Sequence, residues 1–296
     1  AVLSATAQAE DADGAVMPGN TTQRLAGQVA VVTGAGRGFG RSIAMKLAAE
    51  GAAVALLARS GGQLRAVAAE IASRGGRALS VETDVTDPQQ VARACAAARA
   101  AFGPVTLLVS NAAVPGPFGP VWEVDIDQWW RSEAIHIRAP QLLMHALMPE
   151  MIARRSGRVI VISAVAARMT LPFLSAYSVG KAALNKLVEM AAAEAAAHAV
   201  QVFAVEPGFV VTQLGEDTYN DPDARRHMPH MLEYLEQGRA RPDALADLER
   251  TAERCVQLAS GRYDALSGRF MELGDPIDEW ARTALAQAAA APPPRP

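Results

Sequence analysis

Tyr177 and Lys181 stand four residues apart in A-Y-S-V-G-K, a spacing that puts both on one face of a helix. A free phenol titrates near pH ~10. An ammonium beside it stabilises the phenolate and lowers that value. Tyr177 so placed can give or take a proton near neutral pH. A second chemical signal lies earlier, where Thr33–Gly40 reads T-G-A-G-R-G-F-G. Gly34 permits a tight turn. Gly38 and Gly40 let the backbone approach a pyrophosphate and let a helix pack on a strand. Arg37 and Phe39 belong to the same loop and count with it as binding residues.

A glycine-rich string alone is a weak signal, and its setting supplies the rest. The β-branched run Val29–Thr33 precedes it, and the amphipathic segment Arg41–Glu50 follows. A helix opening there presents free N–H groups and a positive dipole end to phosphate. The next apolar run, Ala53–Ala58, ends one residue before Arg59. Binders of NAD place an acidic residue at this strand end, where it accepts from the ribose 2′-hydroxyl. Here Ala58 and Arg59 stand instead, and a guanidinium suits a 2′-phosphate. Arg37 is a second cation nearby. The expected cofactor is therefore NADP(H).

These residues need elements to hold them. Further strands are expected at Leu79–Val81, Thr106–Ser110, Arg158–Ser163, Val200–Val205 and Phe270–Leu273. Helices are expected at Gln63–Arg74, Pro88–Phe102, within Asp127–Arg154, at Ser175–His198 and at Asp243–Ala259. Asp87 and Pro88 form a favourable helix start. Continuous apolar strands alternating with helices imply an α/β fold: a single Rossmann-type domain with a doubly wound parallel seven-stranded sheet. The domain is expected over 25–280. Flexible extensions are expected over 1–24 and 281–296, the latter ending A-P-P-P-R-P.

Composition narrows the function. Lys+Arg 28 against Asp+Glu 31 gives a net charge of −3, without the basic excess of a nucleic-acid or anionic-membrane binder. No apolar run approaches the ~18–20 residues of a membrane span. Glu10, Asp11 and Asp13 break the Ala-rich start, so it does not read as a signal peptide, and a cytoplasmic protein is expected. Cys95 and Cys255 read as reduced, buried small residues. His145, His198, His227 and His230 lack metal-ligand spacing, and no metal is expected.

Taken together, these motifs resemble the short-chain dehydrogenase/reductase family over about residues 25–275. Thr33–Gly40 is similar to its T-G-x-x-x-G-x-G pattern, and Tyr177–Lys181 to its Y-x-x-x-K. Asp84-Val85 looks like its adenine contact. Ser110-Asn111-Ala112-Ala113 is similar to its N-N-A-G segment. Pro207-Gly208 and Thr212 look like its P-G-x-x-x-T segment on the nicotinamide side. Ser267–Phe270 resembles the last strand of many members. The resemblance implies hydride transfer between nicotinamide and a carbonyl or alcohol, with Tyr177 as acid/base and Lys181 also holding the nicotinamide ribose. It also implies a homodimer or homotetramer built on the helices within Asp127–Arg154 and Ala176–His198.

Two positions depart from that family. Its carbonyl-donating serine lies about 13 residues before the tyrosine, where this chain has Ala164, with Ser163 one place earlier. Side chains alternate along a strand, so Ser163 points away unless a bulge or an early strand end turns it inward. Either Ser163 takes the role or no serine does. His136 stands where the family's relay asparagine is expected, and it either carries a relay or fills space. The segment 213–241 is the expected substrate lid by family analogy, and otherwise a surface insert. Its Leu214, Tyr219, Met228, Met231, Leu232, Tyr234 and Leu235, with the Pro115–Trp122 loop, suit a bulky apolar small molecule. Three functions follow from these residues: an oxidoreductase, non-redox chemistry on the same fold (dehydration, cyclisation or epimerisation), and a cofactor-binding scaffold without turnover. Tyr177 and Lys181 argue against the third.

Overall fold

The computed structural model describes residues 23–290. Residues 1–22 and 291–296, which hold most of the first expected extension and the end of the second, lie outside the described residues. The chain opens with β1 (Val29–Thr33), α1 (Gly38–Ala49), β2 (Ala53–Ala58), α2 (Gly61–Ser73), β3 (Arg77–Glu82), α3 (Pro88–Phe102) and β4 (Leu107–Ser110). Then come α4 (Ile126–Glu133), a π-helical turn over Ala134–Arg138, α5 (Ala139–Arg154), β5 (Gly157–Ile162), α6 (Ser175–Ala195) and β6 (Val200–Val205). The chain ends through α7 (Gln213–Asn220), α8 (Pro222–His227), α9 (Pro229–Ala240), α10 (Ala246–Ala259), β7 (Phe270–Met271) and α11 (Ile277–Ala290).

All seven strands form one parallel sheet in the order β3-β2-β1-β4-β5-β6-β7. The central strands β1, β2 and β4 run largely apolar without alternation because helices cover both faces. Ala30 and Val32 of β1 face Ile43, Leu47 and Val256 from α1 and α10. Their neighbours Val29 and Val31 face Val91, Cys95 and Leu143 from α3 and α5. Cys95 and Cys255 are free, buried and in separate cores. Asp87 caps α3 as its sequence suggests, accepting from the backbone N–H of Gln89 and Gln90, with Pro88 in the first turn.

Three boundaries differ from the sequence reading. Arg24 belongs to the folded body, pairing with Glu50 at 2.6 Å and Glu253 at 2.5 Å. The C-terminal tail does not begin at 281, because α11 continues to Ala290 and seats Ile277 and Ala281 in the core. The long helix after β4 is broken by the π turn. Pro140 lacks the N–H that an α-helical register would direct to the carbonyl of His136, which accounts for a wider turn there.

The order of strands reverses between β1 and β4, and their C-terminal ends diverge into a crevice. One hydroxyl ties these ends together. Thr33 Oγ1 accepts from the backbone N–H of Asn111 at 2.9 Å and of Ala112 at 3.1 Å. Thr33→Val keeps the shape and leaves the partly buried N–H groups of Asn111 and Ala112 without this acceptor. It is expected to lower stability by about 2–4 kcal/mol, read as a fall in the urea midpoint at unchanged m-value.

Candidate active site

The crevice opens into a cavity of about 950 Å³. Of the residues singled out in the sequence, Gly34, Arg37, Gly38, Phe39, Arg59, Asp84, Val85, Asn111 and Ala112 line one end. Ser163, Tyr177, Lys181, Pro207, Gly208 and Thr212 line its other walls. Gly40 and His136 stand behind the surface. Gly40 works by contact with backbone: a Cβ there would lie 2.2 Å from the Gly34 carbonyl oxygen. Gly34 and Gly38 take φ values of 63° and 53°, in the left-handed region that favours glycine. The loop is thus shaped as a cradle that side chains would fill. Exposed Arg37 and Arg59 flank it with positive charge.

Tyr177 and Lys181 lie one turn apart on α6, with the Lys181 ammonium 5.6 Å from the Tyr177 ring centroid. Lys181 is 2% exposed, and its Nζ donates to the Ile162 carbonyl at the end of β5 at 2.7 Å. Burial pulls this ammonium down to about 8. The expected lowering of the Tyr177 phenol is not what the structure gives. Burial pushes it up to about 12, and the Glu206 carboxylate adds to the rise. Desolvation of the phenolate is the larger cause of that rise.

Ser163 is fully buried, and its hydroxyl donates to Asn185 Oδ1 on α6 at 2.6 Å. Strand β5 ends at Ile162, and the extended Ala164 follows without a bulge. The hydroxyl proton of Ser163 is engaged with helix α6, while Ser163 itself lines the cavity wall. Ala164 takes the cavity-lining place beside it with a methyl group.

His136 lies in the π turn, 1% exposed, its ring edge-on to Tyr177 at a centroid distance of 5.4 Å. Its Nε2 approaches the Val114 carbonyl at 2.9 Å and the Val114 N–H at 3.4 Å. The shorter contact puts the proton on Nε2. Burial and the nearby Lys181 charge hold the imidazole down to about 3, so it is neutral near pH 7.

The segment 213–241 is three short helices, α7 to α9, over the cavity mouth. Leu214, Met228, Met231, Tyr234 and Leu235 line the cavity. Tyr219 instead faces Glu236 and lies under Arg225 and Arg239. Phe118, Leu174, Ala224 and Met228 form a cluster that packs against Tyr177, whereas Trp122 of the same loop as Phe118 is exposed. Two acidic residues passed over in the sequence belong here. Glu206 lines the cavity and accepts from Gly208 N–H. Glu133 is buried beside His136. The E-x-x-H spacing of Glu133 and His136 is the sequence signal that places them on one helical face.

The sequence profile of the short chain dehydrogenase family matches residues 28–223. A short chain dehydrogenase of Pseudocercospora fijiensis is 35% identical over 263 residues, covering 87% of this chain and 84% of the relative. A metagenomic short-chain oxidoreductase solved in complex with NADP is 42% identical with a TM-score of 0.60, over 64% of this chain and 85% of that one. A short-chain dehydrogenase/reductase from Mycobacterium marinum superposes with a TM-score of 0.74 at 27% identity, over 85% of this chain and 95% of that one. The chain belongs to the short-chain dehydrogenase/reductase family. Within that family it is an oxidoreductase with a seven-stranded Rossmann sheet.

Lys181 offers a direct check of this electrostatic picture. Its folded value of about 8 lies below the ordinary 10.5, so between these the unfolded chain holds a proton that the folded chain has released. Stability then rises with pH in this window. Relative to Lys181→Met, the wild type is expected to gain about 2–3 kcal/mol between pH 8 and pH 10 in urea unfolding without cofactor.

Proposed function

We propose that this protein is an NADP(H)-dependent ketoreductase or alcohol dehydrogenase acting on a bulky, largely apolar carbonyl or alcohol. The observation that carries the reading is one cavity bearing a glycine cradle with two arginines at one end and Tyr177 with Lys181 in its wall. The NADP held by the metagenomic relative supports the same cofactor here. Gly34, Gly38 and Gly40 would seat the pyrophosphate, Arg37 and Arg59 the 2′-phosphate, and Asp84 with Val85 the adenine. Asn111, Ala112, Pro207, Gly208, Thr212 and Lys181 would line the nicotinamide half. When bound, NADPH supplies the hydride.

The chain's own residues do the rest. Tyr177 donates the phenolic proton to the substrate oxygen in reduction and removes it in oxidation. The Lys181 ammonium stabilises the phenolate left behind. Ala164 gives the substrate oxygen no donor, so Tyr177 bears most of that duty. The lid's leucines and methionines contact the apolar body of the substrate. Exposed Trp130 on α4 and Val179 and Met190 on α6 support a homo-oligomer formed on these helices.

Non-redox chemistry is the second reading, and Ala164 is the observation that favours it. A carbonyl panel with NADPH absorbance as readout separates the two. The redox reading expects turnover that Tyr177→Phe lowers by roughly 10²-fold or more. Ala164→Ser is expected to raise kcat by roughly tenfold or more by adding an oxyanion donor. Arg59→Ala is expected to weaken NADPH by about tenfold or more while sparing NADH. Tight NADPH binding without turnover of any carbonyl would shift the assignment to the second reading.

A further inference from the structure

Glu206 has no part in the chemistry described so far, yet it stands in the cavity wall at the end of the sheet. It is the first residue after β6. The Val205 carbonyl before it accepts from Ser163 N–H at 2.8 Å, and Glu206 N–H donates to the Met271 carbonyl at 2.8 Å. The backbone here is thus held from both neighbouring strands. The side chain folds back on its own turn, where Oε2 accepts from Gly208 N–H at 2.9 Å. Helix α10 fixes that turn twice more. Asp247 Oδ2 accepts from Phe209 N–H at 2.9 Å, and Thr251 Oγ1 donates to the Pro207 carbonyl at 2.6 Å. Gly208 takes a φ of 75°, and a Cβ there would lie 2.3 Å from Asp247 Oδ2. The carboxylate is therefore carried on a braced turn and needs no rearrangement to act.

Its charge has no counterpart in the protein. The second oxygen, Oε1, accepts from no group among the described residues, and it is not sealed from the cavity that Glu206 lines. Among the described residues, no ion pair includes Glu206. The titratable groups around it are Tyr177 and Lys181 on α6, Asp247, Arg250 and Arg254 on α10, and Glu272 after β7. Each cation in that set is engaged elsewhere. Lys181 Nζ donates to Ile162, Arg250 pairs with Asp247 at 2.7 Å, and Arg254 donates to the Glu272 and Leu273 carbonyls at 3.0 and 3.1 Å. Burial holds the Glu206 carboxyl above its ordinary value, Glu272 and Asp247 adding to the rise and Gly208 N–H opposing it. Glu206 in turn opposes ionisation of Tyr177. A half-buried anion beside other anions is costly. A positive charge entering the cavity relieves that cost.

We propose that Glu206 sets the favoured direction of the reaction: its carboxylate stabilises the positive charge that the nicotinamide ring carries in NADP+ and lacks in NADPH, and so favours reduction of the carbonyl. In that direction a hydride passes from the nicotinamide to the carbonyl carbon, and the Tyr177 proton passes to the carbonyl oxygen. The ring is left cationic and the phenol anionic, so Glu206 acts on the first and Lys181 on the second. Glu206 has this role only if Pro207, Gly208 and Thr212 hold the nicotinamide half, as proposed above. Its half-buried setting lets the charge be felt more strongly than it would be in water.

Cofactor binding by the full chain, without turnover, provides the test. NADPH fluorescence gives one Kd, and competition by NADP+ gives the other. Near pH 8, Glu206→Gln is expected to weaken NADP+ by roughly three- to tenfold and to change NADPH by less than about twofold. Glutamine still accepts from Gly208 N–H through its amide oxygen, so the turn is kept. Glu272→Gln removes a neighbouring carboxylate that does not line the cavity, and it is expected to leave the ratio of the two Kd values at the wild-type level. In weakly buffered solution near pH 6, NADP+ is expected to release more protons on binding than NADPH does, and this excess is expected to be lost in Glu206→Gln. Equal weakening of both cofactors, or an unchanged ratio, overturns the proposal and leaves Glu206 as a brace for the turn. A ratio moved as far by Glu272→Gln also overturns it, because the field would then belong to the whole acidic end. Failure of the wild type to bind either cofactor overturns the cofactor reading itself, and with it this role. Tight binding of both with an unchanged ratio in Glu206→Gln overturns this role alone.

Discussion

The hydrogen bond from Lys181 Nζ to the Ile162 carbonyl is the contact on which the chemistry of this wall depends. It fastens helix α6 to the C-terminal end of β5, and Tyr177 one turn earlier is carried to the cavity by that attachment. The bond also compensates the removal of an ammonium from water, although not completely, since burial still draws Lys181 down to about 8. Its neighbours answer by staying neutral. His136 is held near 3, Tyr177 near 12 and Glu133 near 7. At mildly acidic pH the wall thus presents one positive charge among three uncharged groups. Such a field favours negative charge developing on a substrate oxygen beside Tyr177, where Ala164 supplies no hydroxyl.

The cavity is chemically divided. Backbone N–H groups, glycines and two arginines surround one end, and Leu214, Met228, Met231 and Leu235 cover the other. The segment 213–241 reaches the wall through apolar packing of Phe118, Leu174 and Met228 on Tyr177. Phe173 takes a left-handed φ of 69°, strained for an aromatic residue, and its ring lies 5.3 Å from His227 of α8. That contact helps set α8 against the loop before α6. Phe209 packs on Tyr234 of α9 at 4.3 Å, joining the segment after β6 to the same group of helices.

Much of this was legible residue by residue. The central strands announce themselves because both faces are buried and most positions are apolar, as in Val29–Val32. The α3 cap is written in Asp87 and Pro88, and the cradle in Gly34, Gly38 and Gly40. Other parts were not. The π turn follows from a proline effect that only matters once α6 crosses there. Helices α7 to α9 are short and depend on packing over the mouth for their order. The Ala-rich α11 carries few large apolar residues, so its buried stripe of Ile277 and Ala281 is faint. The sign of the Tyr177 shift was misread from Lys181 alone, because desolvation belongs to the surroundings and not to the pair.

By itself the sequence determined which groups could react and how the chain would layer: local spacing, turn chemistry and hydrophobic period are properties of neighbouring residues. Only the tertiary structure decided which of those groups meet and in what protonation state. Ser163 bonded to Asn185, His136 lost its charge, and Glu133 came to be buried facing Gly180. Each outcome depends on water excluded by elements distant in the chain, and the free energy of a charge or a proton is set by that exclusion.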